Sequence, residues 1–191
     1  MDHRVVVNAV ELKISRWLSP RGDTTGRQAA SSCTPKGRQQ GHSMSSTYLS
    51  LHYHLVFGMK NRIASIDPSW RTRLHEYIGG TVRGLGGFPE VIGGVADHVH
   101  LLLALKSTHC LADVVRELKK ASSEWVHDEI GDRTFRWQDG YAAFTVSATV
   151  RVAVRKYICN QEEHHRFKSF REEFVEFLEK AGIQYDQRYL D

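Results

Sequence analysis

No apolar run in this 191-residue chain approaches the roughly 20 residues needed to cross a bilayer, so no transmembrane helix is expected. Charges interrupt every apolar stretch near the N-terminus, which argues against a secretory signal. Cysteine is scarce: Cys33, Cys110 and Cys159 are odd in number, far apart and without CxxC spacing. That argues against a disulfide framework or a zinc knuckle and fits a reducing, cytoplasmic setting. There is no internal repeat, and no HExxH spacing to support a metal hydrolase of that kind. A charge excess is also missing where it would matter most. The net charge is +4, but residues 1–43 hold seven Lys/Arg against three Asp/Glu, and residues 44–191 hold 19 of each sign. Bulk charge therefore says nothing for nucleic-acid binding by the folded part, and any basic surface there must come from local clustering.

What is present is globular: 41% hydrophobic and 25% charged residues, in a length suited to one domain with some surplus. Residues 20–47 are rich in Gly, Ser, Thr, Gln and Arg and nearly devoid of large apolar side chains. Such a composition cannot bury enough surface to offset its ordering entropy. Residues 1–43 are thus expected to be a disordered extension or an over-long start assignment, with Met44 the initiator, and residues 44–191 the functional domain.

From Tyr48 onward the pattern sharpens. Alternation through Leu51, Tyr53, Leu55 and Phe57 reads as a strand. Pro68 opens a helix carrying Trp70, Leu74, Tyr77, Ile78, Val82 and Leu85, closed by Gly84, Gly86 and Gly87. Two strands follow, Pro89 to Ala96 and Asp97 to Leu105, and then an amphipathic helix through Leu111, Val114, Val115, Leu118, Trp125 and Val126. The segments 135–137 and 141–147 read as extended. A third helix is predicted over 148–163 and a fourth over 169–181. The order β-α-β-β-α-β plus C-terminal helices predicts an α+β, ferredoxin-like antiparallel sheet, with helices on one face and the other free for a ligand.

One stretch carries chemistry above the rest: His98-Val99-His100, followed by Leu101-Leu102-Leu103. Residues i and i+2 of a strand share a face, so both imidazoles can aim at one point, and neutral imidazole is a common metal ligand. A second pair, His52 and His54, sits on the first strand, and spacing alone does not choose between them. His54 could lie beside the His98/His100 pair, as a supporting group or as packing. His164-His165 falls where a helix frays, and adjacent helical residues diverge by about 100°, which suggests a solvated end. Asp97 adjoins the pair but is expected on the opposite strand face. Farther on, Tyr157 and Gln161 lie four apart in a helical stretch, about 40° apart around the axis. Val150 and Val154 share their face, so a core tyrosine is the competing reading; Arg151, Arg155 and Lys156 supply a cationic surround that would suit an anionic reactant.

These residues resemble the single-tyrosine HUH transposases of bacterial insertion sequences, which act on single-stranded DNA. The resemblance runs from Met44 to the C-terminus through Ser46-Thr47-Tyr48, His54-Leu55-Val56-Phe57, Lys60-Asn61-Arg62 and Asp97-His98-Val99-His100-Leu101. It continues through Ser122 to Trp125, Trp137-Gln138-Asp139-Gly140-Tyr141, Phe144, Tyr157 through Gln161 to His165, and the tail from Lys180 to Leu190. It implies the HUH endonuclease fold. It implies His98, His100 and Gln161 as ligands of Mg²⁺ or Mn²⁺, and Tyr157 as a nucleophile forming a 5′-phosphotyrosine. It further implies hairpin-bearing element ends as substrate and a homodimer as the assembly, with Tyr157 acting either in its own chain's site or in that of the partner subunit. Arg116, Lys119, Lys120, Arg151, Arg155 and Lys156 are candidate DNA contacts, with Trp137 and Tyr141 available for base stacking. Two other readings stay open: a non-catalytic nucleic-acid-binding module, and a domesticated relative that nicks palindromic repeats of its host.

Overall fold

The computed structural model describes residues 48–187 and 190. The expectation for residues 1–43, and the resemblance at Ser46, Thr47, Arg188 and Tyr189, lie outside the described residues. Strands β1 (His52–Gly58), β2 (Phe88–Gly94), β3 (His98–Ala104) and β4 (Ala142–Thr145) form one antiparallel sheet in the order β2-β3-β1-β4. Helices α1 (Pro68–Gly84) and α2 (Leu111–Trp125) fill the two crossovers. This is the expected ferredoxin-like arrangement.

Alternation along the two central strands divides their side chains between two cores. Leu55, Phe57, Val99, Leu101 and Leu103 face α1 and α2, where they meet Leu74, Ile78, Val82, Val114, Val115 and Leu118. The helix boundaries follow from local chemistry. Asp67 Oδ1 accepts the amide of Ser69 at 2.8 Å and Pro68 takes the first helical position, which starts α1. A π turn, Val126–Ile130, follows α2, and Gly131 ends it at φ 85°.

The second face is not free. Helices α3 (Arg151–Cys159), α4 (Gln161–His164) and α5 (Phe170–Lys180) cover it. Leu102 packs with Val146, Val154 and Ile158, and Val56 with Ala142, Phe144, Phe170 and Ala181. The register that pairs Val56 with His100, and Gly58 with His98, places the histidine pair on a central strand, at the end where β3 begins, beneath these helices. Gly93, the β2 partner of His100, admits α3 to that face: a Cβ there would stand 2.3 Å from the Ile158 carbonyl oxygen. The predicted helix over 148–163 is in fact two. Asn160, at φ −103° and ψ 22°, breaks the helical path between Tyr157 and Gln161. Helix α5 starts with a capping box in which Ser169 and Glu172 satisfy each other's backbone amides. Arg62 holds α5 from outside, its guanidinium 4.2 Å from the centroid of Phe170 while it donates to the Leu190 carbonyl at 2.7 Å.

Candidate active site

His98 and His100 are fully buried, on the face covered by α3, α4 and α5. Each is oriented through Nδ1. His98 Nδ1 donates to Asp97 Oδ1 at 2.7 Å, and His100 Nδ1 lies 2.9 Å from His54 Nε2, which accepts when the His100 proton is on Nδ1. Asp97 thus reaches the pair, against the expectation that it points away, because its position just before the strand frees it from strict alternation. Burial pushes its carboxyl up, but the hydrogen bond and charge of His98 outweigh that and hold it below its ordinary value. His54 is the supporting group on β1. Burial lowers it to about 3, so it is neutral near pH 7 and able to accept.

Gln161 projects beside the pair, its Oε1 3.3 Å from His98 Nε2. Tyr157 stands across the break in the helix. Its ring centroid is 5.7 Å from that of His100 and 6.1 Å from that of His54, and its hydroxyl is buried with no hydrogen-bond partner. One chain therefore brings His98, His100, Tyr157 and Gln161 together.

Two further residues enter the cluster. His165 Nε2 lies 3.0 Å from Gln161 Oε1, and Glu173 of α5 puts Oε2 3.5 Å from both His100 Nε2 and His165 Nε2. Glu173 Oε1 reaches His164 Nε2 at 3.1 Å. The expected solvated end at His164-His165 is thus a packed corner. Chain geometry separates the two rings, but the fork of one carboxylate spans them. A sequence signal existed for Glu173: it is an acid on the apolar stripe Phe170-Phe174-Phe177, where a helix normally carries hydrophobic side chains. Burial, then the charges of Asp97 and Glu176, push its carboxyl up to about 8. Burial, reinforced by neighbouring histidines, lowers His100 well below its ordinary value and His165 to about 4, leaving their lone pairs available.

A divalent ion fits these donors. Ligand atoms of His98, His100, His165 and Glu173 all lie within 4.8 Å of one another. His100 Nε2 and both Glu173 oxygens are buried and make no hydrogen bond among the described residues, so their lone pairs can serve as ligands.

The basic candidates divide. Lys120, Arg155 and Lys156 are exposed. Arg116 is exposed but engaged by Asp113 at 2.5 Å and Glu117 at 3.2 Å. Arg151 lies 3.6 Å from Glu90 and 3.0 Å from His52 Nε2. Lys119 is turned inward. Its ammonium donates to the carbonyls of Gln138 and Gly140 at 2.9 and 2.7 Å, and burial lowers it to about 8. Trp137, considered for base stacking, is a core residue whose indole donates to Ser122 Oγ at 2.9 Å; Tyr141 packs at the edge of the same core.

The sequence profile of IS200-like transposases matches residues 47–161, more than half of the chain. The ISDra2 transposase TnpA of Deinococcus radiodurans is 26% identical over 119 residues, covering 59% of this chain and 85% of that protein. A crystal structure of a Deinococcus radiodurans protein aligns with a TM-score of 0.51 at 24% identity, over 63% of this chain and 98% of the other. A REP-associated tyrosine transposase bound to a REP hairpin aligns with a TM-score of 0.49 at 16% identity, over 64% and 74%.

Proposed function

The chain belongs to the family of IS200-like transposases, and we propose that it cleaves and rejoins single-stranded DNA through a covalent link to Tyr157. The observation that carries this reading is the meeting, in one chain, of a buried and unpartnered phenol with the His98/His100 pair, at 5.7 Å between the rings of Tyr157 and His100. His98, His100 and Gln161 would hold a divalent ion, Mg²⁺ or Mn²⁺. When bound, that ion would withdraw charge from the scissile phosphate and orient it.

The residues of the chain do the remainder. Asp97 and His54 fix the two imidazoles through their Nδ1 atoms, so that Nε2 of each points inward. A phenol with an ordinary pKa near 10 is a weak nucleophile at neutral pH, and its position must compensate. Tyr157 Oη forms a bond to phosphorus as the bond from phosphorus to the 3′ oxygen breaks. The phenol loses a proton and the departing oxygen gains one, giving a 5′-phosphotyrosine and a free 3′-hydroxyl. The phosphoester is conserved in the link, so a second 3′-hydroxyl can reverse the step without ATP.

Attack and exchange of strands require an accessible backbone, which is why the substrate is single-stranded, with hairpin-bearing ends of an insertion sequence as its natural form. Exposed Lys120, Arg155 and Lys156 are the cations best disposed to meet phosphates. A homodimer acting in the cytoplasm, with residues 44–191 as the functional domain, completes the reading. The test is capture on a denaturing gel of labelled single-stranded DNA from the flanks of the gene, with Mn²⁺ or Mg²⁺. An adduct is expected with the wild type and none with Tyr157→Phe or His98→Ala. Binding without an adduct, unchanged in Tyr157→Phe, would favour a non-catalytic binding module.

A further inference from the structure

We propose that His165 and Glu173 are metal ligands, so that with His98 and His100 they form a three-histidine, one-carboxylate pocket that selects Mn²⁺- or Zn²⁺-class ions over Mg²⁺. This extends the reading above, which uses only His98, His100 and Gln161. Three observations carry it.

The first is that all three imidazoles are tethered in the same way. His98 Nδ1 is bonded to Asp97, His100 Nδ1 to His54, and His165 Nδ1 to the Lys168 carbonyl at 2.8 Å. With the proton on Nδ1 in each, every Nε2 presents a lone pair. A tethered Nδ1 and an inward Nε2 are how a protein fixes the tautomer of a metal-binding histidine. His165 has the same arrangement as the two strand histidines, although it lies in the turn after α4.

The second is distance. Two donors on one ion, each about 2.0–2.2 Å from it, stand roughly 3–3.5 Å apart when adjacent. Glu173 Oε2 is 3.5 Å from His100 Nε2 and 3.5 Å from His165 Nε2. Gln161 Oε1, at 3.3 Å from His98 Nε2 and 3.0 Å from His165 Nε2, falls in the same range and is available as a fifth donor.

The third is that the lone pairs of these groups converge. With these tautomers and with Glu173 ionised, as a bound cation would hold it, the inward Nε2 atoms and the carboxylate oxygens are all acceptors around one buried space. His100 Nε2 and both Glu173 oxygens make no hydrogen bond. A cation placed among these converging lone pairs would satisfy them together.

Metal class follows from donor class. Mg²⁺ demands oxygen ligands and retains water, whereas imidazole suits Zn²⁺ and other transition ions, and Mn²⁺ tolerates a mixed shell. A pocket offering three nitrogens and one carboxylate is poor for Mg²⁺.

The test uses the full chain, stripped of metal and free of DNA, so it stands apart from strand capture: either can fail while the other holds. Calorimetric titration with ZnCl₂, MnCl₂ and MgCl₂ should show Mg²⁺ as the weakest. Glu173→Gln and His165→Ala should each weaken Zn²⁺ binding at least ten-fold, while metal-free melting confirms that the variants are folded. Wild-type affinity in both variants, with loss only in His98→Ala, would overturn the proposal, as would Mg²⁺ binding as tight as Zn²⁺ binding. A Co²⁺ absorption spectrum of the wild type needs no variant. Intense visible bands of a four- or five-coordinate, nitrogen-rich site are expected, and the faint bands of a six-coordinate, oxygen-rich site would contradict it.

Discussion

His75 illustrates how far a single buried group can bias this molecule. Its ring is largely buried on α1, Nε2 has no hydrogen-bond partner, and burial, then the nearby Arg71 cation, lowers it to about 4. Because its pKa is depressed in the folded state, the stability it permits is fully present above 6.5 and is lost as pH falls from there toward 4. His75→Gln should therefore flatten the stability profile between pH 6.5 and 4, by at most about 3 kcal/mol. Denaturant titrations at pH 7.5, 5.5 and 4.5 would show it, and parallel curves for the two proteins would contradict it. The lysines make a second residue-level contrast. Lys119→Met strips the donor from the 138–140 carbonyls and should cost about 1–3 kcal/mol of stability. Arg155→Gln and Lys156→Gln should leave stability nearly unchanged and each lower the salt dependence of DNA binding by about one phosphate contact. Filter binding across salt concentrations separates the two classes. In the sequence these cations look alike. Only the fold shows that Lys119 is turned into a loop of carbonyls, since nothing in its neighbours specifies the approach of residues 138–140. Strand alternation puts His98 and His100 on one face, but it does the same for His52 and His54, and the family resemblance was needed to choose between the pairs. The place of His165 beside them was not legible, because it is set by packing against a carboxylate from α5.

At the scale of elements, the approach of α3 to the sheet decides whether Tyr157 meets the histidines. Gly93 allows it, and Gly93→Ala would place a methyl group 2.3 Å from the Ile158 carbonyl oxygen. Backbone must move to relieve that contact. The variant should lose about 1–3 kcal/mol, and its capture of DNA should fall more steeply than its stability. Thermal melting and the capture gel, run on the same preparation, test the two halves; unchanged capture would show that α3 can shift without consequence. The elements themselves were largely readable. Periodicity located the strands and α1, α2 and α5 to within a few residues, since apolar alternation and caps such as Asp67 and Ser169 act locally. Two features were not. The break at Asn160 lies within a continuous helical pattern, and directly after it Gln161 is buried beside His98. The covering of the second face by α3, α4 and α5 was hidden because the residues that meet it, Val56 and Leu102 among them, read simply as members of apolar strands.

For the molecule as a whole, the sheet offers one face to α1 and α2 as its main core and the other to the site. No described helix is long and apolar enough to cross a membrane. The central histidine pair sits at the meeting of both central strands and three C-terminal helices, so reactivity depends on the fold as a unit. The most direct test is to find the atom that carries the DNA. Trypsin should release Tyr157 at the head of the peptide spanning residues 157–166, between Lys156 and Arg166. After capture of a single-stranded oligonucleotide, nuclease trimming and mass spectrometry, that peptide should carry the nucleotide remnant on its tyrosine. A remnant on any other residue, or capture that persists in Tyr157→Phe, would contradict the account.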